Sequence, residues 1–216
     1  MPHRYLTALE TPSVEAAQRE YGSHTAMQRL LAGWDTDAVL GAEEAAFLDE
    51  RDSFYLATVG ESGWPYVQHR GGPPGFLKLL DGDAEASVIG WADYRGNRQY
   101  VSVGNLGASA RVSLILVDYR HQQRLKILGE ARTVDVRQPE GAALAEQVST
   151  PGYQAHVERV ITVRVHGYDW NCPQHITPRW TRAELAPVLE KMQGELADLR
   201  DRNRRLEQEL AALRDA

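Results

Sequence analysis

Between Ser53 and Val136 hydrophobic residues recur at every second position in short runs, and the breaks between runs are only a few residues long. Such alternation buries one face of a strand and wets the other. Breaks this short join only antiparallel strands, because a parallel crossover needs about a dozen residues. SFYLATV reads as a strand, GESG as a hairpin turn and residues 64–70 as the returning strand. Further extended runs are expected at 75–80, 86–91, 99–103, 111–119 and 125–136, with turns at 81–83 and 104–107 and a basic hairpin at 120–124. A final strand is expected at 155–166, after a helix over 139–149 with Ala143, Leu144 and Val148 on its apolar side. Seven or so short strands joined by hairpins point to an antiparallel barrel or sandwich and away from a parallel sheet.

The flanking segments follow a different period. Residues 1–52 read as helices rich in Ala, Glu, Gln and Leu, with breaks at Gly22, Gly33 and Gly41 and with Asp35 or Thr36 placed to cap a helix. Ala46, Phe47 and Leu48 form an apolar stripe against Glu43, Glu44 and Asp49, as expected of a helical lid on one mouth of a β-core. From Thr181 the aromatics disappear. Thr181 and Glu184 fit a capping box, and Pro187 marks a kink or restart. Leu185, Leu189, Met192, Leu196, Leu199, Asn203, Leu206, Leu210 and Leu213 are then spaced alternately by four and three residues. That spacing predicts a parallel two-stranded coiled coil with Asn203 at an a position. The expected organisation is an N-terminal helical segment (1–52), a β-domain (53–180) and a coiled-coil helix (181–216).

Charge and motif content exclude several functions. A net charge of −6 gives no general attraction to nucleic acid or to acidic membranes. No run approaches the roughly 18 apolar residues of a membrane span, and the opening MPHRYLTALE lacks an export-signal pattern, so a cytoplasmic location is expected. Cys172 is the only cysteine, which rules out an internal disulfide. The histidines show no metal-ligand spacing, and neither a Walker loop nor a G-x-G-x-x-G is present, so no metal is expected.

The stretch from Trp64 to Asn105 carries the candidate site. Gly71, Gly72 and Gly75 expose backbone N–H groups that an anion can approach closely, and His69, Arg70, Lys78 and Arg98 add charge and directed donors. Trp91, Trp170, Gln99 and Asn105 are residue types suited to a flat aromatic ligand with a polar edge.

The words SFYLATVGESGWPYVQHRGGPPGFLKLLD, WADYRGNRQYVSVGNL and RLKILGEART resemble the pyridoxamine 5′-phosphate oxidase-like family of flavin-binding split barrels, and DWNCPQHI extends the match. The resemblance implies an antiparallel split β-barrel, mainly β with α, that binds flavin mononucleotide (FMN). It places the FMN phosphate on His69, Arg70 and Gly71 and on Asn97, Arg98 and Gln99, and the flavin edge on Trp91, Ala92 and Asp93. It also implies a homodimer with FMN sites at the subunit interface, each completed by Trp170, Asn171 and Gln174 of the other chain. WNCPQHITPRW lacks the basic residues with which the true oxidase grips its vitamin substrate, so vitamin B6 oxidation is not implied. His175 is the one candidate proton donor of that segment, and Cys172 reads as a buried, inert cysteine, with a reactive thiol near the cationic site as the alternative. The expected function is FMN-dependent oxidoreduction of a small molecule. The alternatives are a non-enzymatic flavin-binding or sensing protein, or a barrel that takes haem or a deazaflavin.

Overall fold

A computed structural model describes residues 3–33, 38–171 and 173–214. The cap expected at Asp35 or Thr36, and Cys172, lie outside the described residues. Strands β1 (Ser53–Val59), β2 (Pro65–Gly71), β3 (Lys78–Leu80), β4 (Val88–Tyr94), β5 (Arg111–Asp118), β6 (Gln123–Asp135) and β7 (Val157–Asn171) pair antiparallel in the order β2-β1-β5-β6-β7-β4-β3. The protein is an antiparallel split β-barrel with N-terminal helices and a long C-terminal helix. Period two sets its interior: Phe54 and Leu56 of β1, Leu114 and Leu116 of β5, and Leu125 and Ile127 of β6 share one buried core with Trp91, Ile161 and Val163.

β4 is covered on both faces from Ile89 to Asp93, which is why its run is more continuously apolar than simple alternation requires, and β7 is so covered at Val160 and Ile161. Ala92 and Val160 point to a second, smaller cluster with Val148, against which helix α6 (Pro139–Gln147; numbered after α1 to α5 below) packs Leu144 and Ala145. Gly141 is the buried residue of α6, whereas Ala143 is exposed, contrary to the sequence expectation. A Cβ on Gly141 would lie 2.0 Å from the Asp135 carbonyl oxygen. Gly141→Ala therefore forces α6 away from the end of β6 and is expected to cost about 1–3 kcal/mol, measured as a lowered midpoint in urea unfolding.

Helices α1 (Arg4–Leu9), α2 (Pro12–Glu20), α3 (His24–Gly33) and α4 (Ala42–Asp49) precede the sheet. Thr11 caps α2, its hydroxyl accepting from the Val14 N–H at 3.3 Å with Pro12 opening the helix. In α4 the inward face is Glu44, Phe47 and Leu48, and Ala46 is exposed. Residues three and four apart share a helix face, and the inward carboxylate is satisfied at both oxygens. Glu44 Oε2 accepts from the Gly41 N–H at 2.9 Å, and Oε1 from the Trp170 indole N–H at 2.8 Å.

Two expectations fail for a tertiary reason. Residues 101–103 are not extended and 104–107 are not a turn, because both lie in α5 (Val101–Ala108). Its glycines and valines are poor helix formers. Contacts hold it instead: the Ser102 hydroxyl donates to Gln68 at 3.0 Å, the Asn105 amide donates to the Thr58 hydroxyl at 3.0 Å, and Leu106 packs on the core. The last strand does not stop at His166 but continues to Asn171, because the long β6 offers it a partner as far as Arg124.

The chain divides into two compact units. The sheet and the N-terminal helices belong to the first; Tyr119–His121 and the segment from Ile176 onward form the second. Within the second unit α7 (Arg182–Arg214) begins at a capping box: Thr181 N donates to Glu184 Oε2 at 2.7 Å, and Glu184 N to the Thr181 hydroxyl at 3.2 Å. The helix runs through Pro187 without restarting. Among the described residues no helix is long and apolar enough to cross a membrane.

Candidate functional site

In the sheet order β2 is one edge, while β4 lies beside β3, the other edge. Side chains join these two ends. Arg70 Nη1 on β2 donates to Asp93 Oδ1 on β4 at 2.5 Å. Phe54 of β1 meets Trp91 of β4 edge to face, with ring centroids 5.0 Å apart, and Phe76 stacks on Phe54 at 5.7 Å. A cavity of about 240 Å³ lies along this seam, lined by β2, β4, the loop after β4, the start of α5 and the beginning of β7.

Its electrostatics follow from one buried carboxylate. Asp93 is 5% exposed, and a buried charge must be paired. Directly opposite it in the β4–β7 register stands Arg159, whose Nη1 donates to Asp93 Oδ2 at 2.7 Å. Asp93 is thus held between two guanidinium groups. Glu158 accepts from Arg95 Nε at 3.0 Å, from the Tyr100 hydroxyl at 3.2 Å and from Arg159 Nη2 at 3.2 Å. The hydrogen bond from Arg95 is the largest reason its carboxyl lies below the usual range. The Arg98 guanidinium hydrogen-bonds Tyr100, which favours its charged form further. Four arginines and two carboxylates line the cavity, leaving two positive charges in excess.

Backbone geometry adds to this. Tyr100 precedes α5 with φ +53° and its side chain does not cap the helix, while Ser102 and Val103 of the first turn line the cavity. Arg98 is left-handed as well, at φ +61°. Each such non-glycine residue costs on the order of 1–3 kcal/mol and persists only where its surroundings hold it. For Tyr100 the holding groups are Glu158 and the Arg159 guanidinium, 5.0 Å over its ring. Asn97 folds the loop by accepting from the Gln99 N–H at 3.1 Å.

Of the residues singled out from sequence, His69, Arg70, Gly71, Trp91, Ala92, Asp93, Asn97 and Arg98 line the cavity. Gln99 lies in the same loop, exposed, its side chain accepting from the Asn97 amide at 3.2 Å. The others are not among its lining residues. Gly72 makes room for Phe76, since a Cβ there would lie 2.6 Å from that ring, and Lys78 pairs with Gly90 at the start of β3. Asn105 serves α5. Trp170 is bound to Glu44 and edge-on to Phe47 at 4.7 Å, Asn171 ends β7 opposite Arg124, and Gln174 and His175 are exposed in a turn.

Sequence reasoning missed Gln68, Phe76, Tyr94, Arg95, Gly96, Tyr100, Ser102, Val103, Tyr153, Glu158 and Arg159. A signal existed for Arg95 and Tyr100, which flank the chosen loop. Glu158 and Arg159 stand out as charges in a Val- and Ile-rich strand, but only the pairing register brings them to Asp93. Among the described residues no group of three or more His, Cys, Asp or Glu could hold a metal ion. Arg70 Nε and Trp91 Nε1 are buried with no hydrogen-bond partner among the described residues, and both belong to residues lining the cavity.

Comparison with known proteins gives one family match: the model described as pyridoxamine 5′-phosphate oxidase matches residues 40–165. No curated protein matches the chain. Among solved structures, HupZ of Group A Streptococcus is 14% identical with a TM-score of 0.45, covering 65% of this chain and 100% of its own. An FMN-binding protein from Syntrophomonas wolfei is 12% identical with a TM-score of 0.45, covering 74% and 97%. An F420 reductase is 22% identical with a TM-score of 0.38, covering 57% and 94%.

Proposed function

Because this chain belongs to the pyridoxamine 5′-phosphate oxidase family, we propose that the arginine-rich cavity binds one FMN per subunit and that the protein is an FMN-dependent oxidoreductase of a small molecule. The observation that carries this reading is the excess of two positive charges beside the uncapped start of α5. A phosphate monoester brings close to two negative charges near neutrality, so the donor set fits its charge and its need for several N–H partners. Arg98 and Arg70, with His69, Gly71, Asn97 and Gln99, hold the phosphate, and Asp93 keeps Arg70 aimed. Trp91, Ala92 and Asp93 follow the edge of the ring system. Bound flavin supplies the redox chemistry, and the protein supplies binding, orientation and exclusion of water.

A second subunit completes the site. Val59 and Val67 are 43% and 60% exposed on the outer face of β1 and β2. That face adjoins the cavity where Tyr55 meets His69, ring centroids 5.6 Å apart. In this reading the second chain covers that face and supplies Trp170, Asn171 and Gln174 to the ligand. The indole N–H of Trp170 is already given to Glu44, so this residue offers apolar surface.

The absorbance spectrum of freshly purified protein tests the cofactor directly. Flavin bands are expected; a haem or deazaflavin spectrum, or no chromophore after incubation with FMN, would overturn the assignment. Arg98 is exposed and its removal leaves no buried charge unpaired. A charge-assisted hydrogen bond contributes about 1.5–3 kcal/mol, so Arg98→Ala is expected to weaken FMN by about one to two decades while the unfolding midpoint stays unchanged. Fluorescence titration of the apoprotein measures this, and equal affinity in the variant would remove Arg98 from the site.

A further inference from the structure

We propose that α7 is an interface to a second copy of this chain, the two helices running parallel as a two-stranded coiled coil. α7 has 33 residues, about 50 Å at 1.5 Å per residue, and buries none of them. The eight leucine and methionine residues of the heptad seam, from Leu185 to Leu213, are 40% to 75% exposed. An apolar seam of that length with no cover in its own unit requires a partner helix of matching period.

The charges beside the seam identify the partner as the same sequence. Within α7 the described ion pairs are Lys191 with Glu195, at 3.9 Å, and Asp201 with Arg204, the latter on the face away from the seam. Arg200, Arg202, Glu207 and Glu209 make no ion pair among the described residues. In a parallel homodimer the g-to-e positions set Glu195 against Arg200, Arg202 against Glu207 and Glu209 against Arg214, all of opposite sign. Asn203 decides the direction. When the helices run parallel, a positions face each other and the two amides hydrogen-bond across the axis; when they run antiparallel, each amide faces a d leucine and goes unpaired. This proposal does not depend on the flavin reading.

Disulfide trapping in the full chain tests it. In a Cys172→Ser background, Asn203→Cys is expected to form an interchain disulfide readily on mild oxidation, because facing a positions bring the Cα atoms within the span of about 4.4–6.8 Å that a disulfide accepts. Arg204→Cys, one residue on and directed outward, is expected to remain reduced. Absence of the disulfide at 203 with helicity intact by circular dichroism, or equal trapping at 203 and 204, would overturn the proposal. Flavin content is read separately against the Cys172→Ser parent and is expected to be unchanged by Asn203→Cys and Arg204→Cys.

Discussion

Asp93→Ala is expected to destabilise the protein by about 3–5 kcal/mol, the cost of breaking a buried ion pair from one side. The carboxylate is 6% exposed, and Arg70 and Arg159, its two partners, are 14% and 18% exposed. Removing it leaves two guanidinium groups side by side with only Glu158, on Arg159, as a remaining carboxylate partner, so repulsion adds to the lost attraction. Asp93→Asn keeps an acceptor but no charge and is expected to fall between wild type and alanine. Urea unfolding of the three proteins checks this. A loss for alanine below about 1 kcal/mol would place these pairs with ordinary surface ion pairs, and the seam would then need another explanation. Since Arg70 joins β2 to β4, flavin binding by the alanine variant is expected to fall with stability.

Phe54→Ala is expected to cost about 3–5 kcal/mol, as large-to-small changes of buried aromatics do. Phe54 is 1% exposed and touches both Phe76 and Trp91, so its removal opens a void beneath the residue that lines the cavity. Thermal or chemical unfolding gives the magnitude. Loss of flavin affinity in protein that remains folded would show that Trp91 depends on this support. A change within about 0.5 kcal/mol, typical of surface sites, would show that the core closes over the gap.

Several elements were legible because they depend on neighbours in the chain. The β1–β2 hairpin, the strands at 111–118 and 123–135, the breaks between α2, α3 and α4, and the Thr181 capping box all arise from local periodicity, turn residues or caps. The inward face of α4 was read less well, because the rule that buries apolar residues cannot foresee Glu44. That carboxylate is tolerated inside only because Trp170 and Gly41, far apart in sequence, both donate to it. α5 was misread for the same reason: its poor helix formers are held by Gln68 and Thr58.

By itself, the sequence determined an antiparallel β-core flanked by helices, a cationic glycine-bounded stretch around Arg70 and Arg98, and an amphipathic tail, because these depend on residue type and on spacings of two to four positions. Only the tertiary structure decided which cations act together. Arg70, Asp93 and Arg159 are separated by 23 and 66 residues, and nothing local to any of them indicates the others. Their meeting follows from the pairing of β4 with β7 and from the approach of the two ends of the sheet. Both are set by how the apolar faces of β1, β4, β5, β6 and β7 close over one core, a condition on the whole chain that no short window contains.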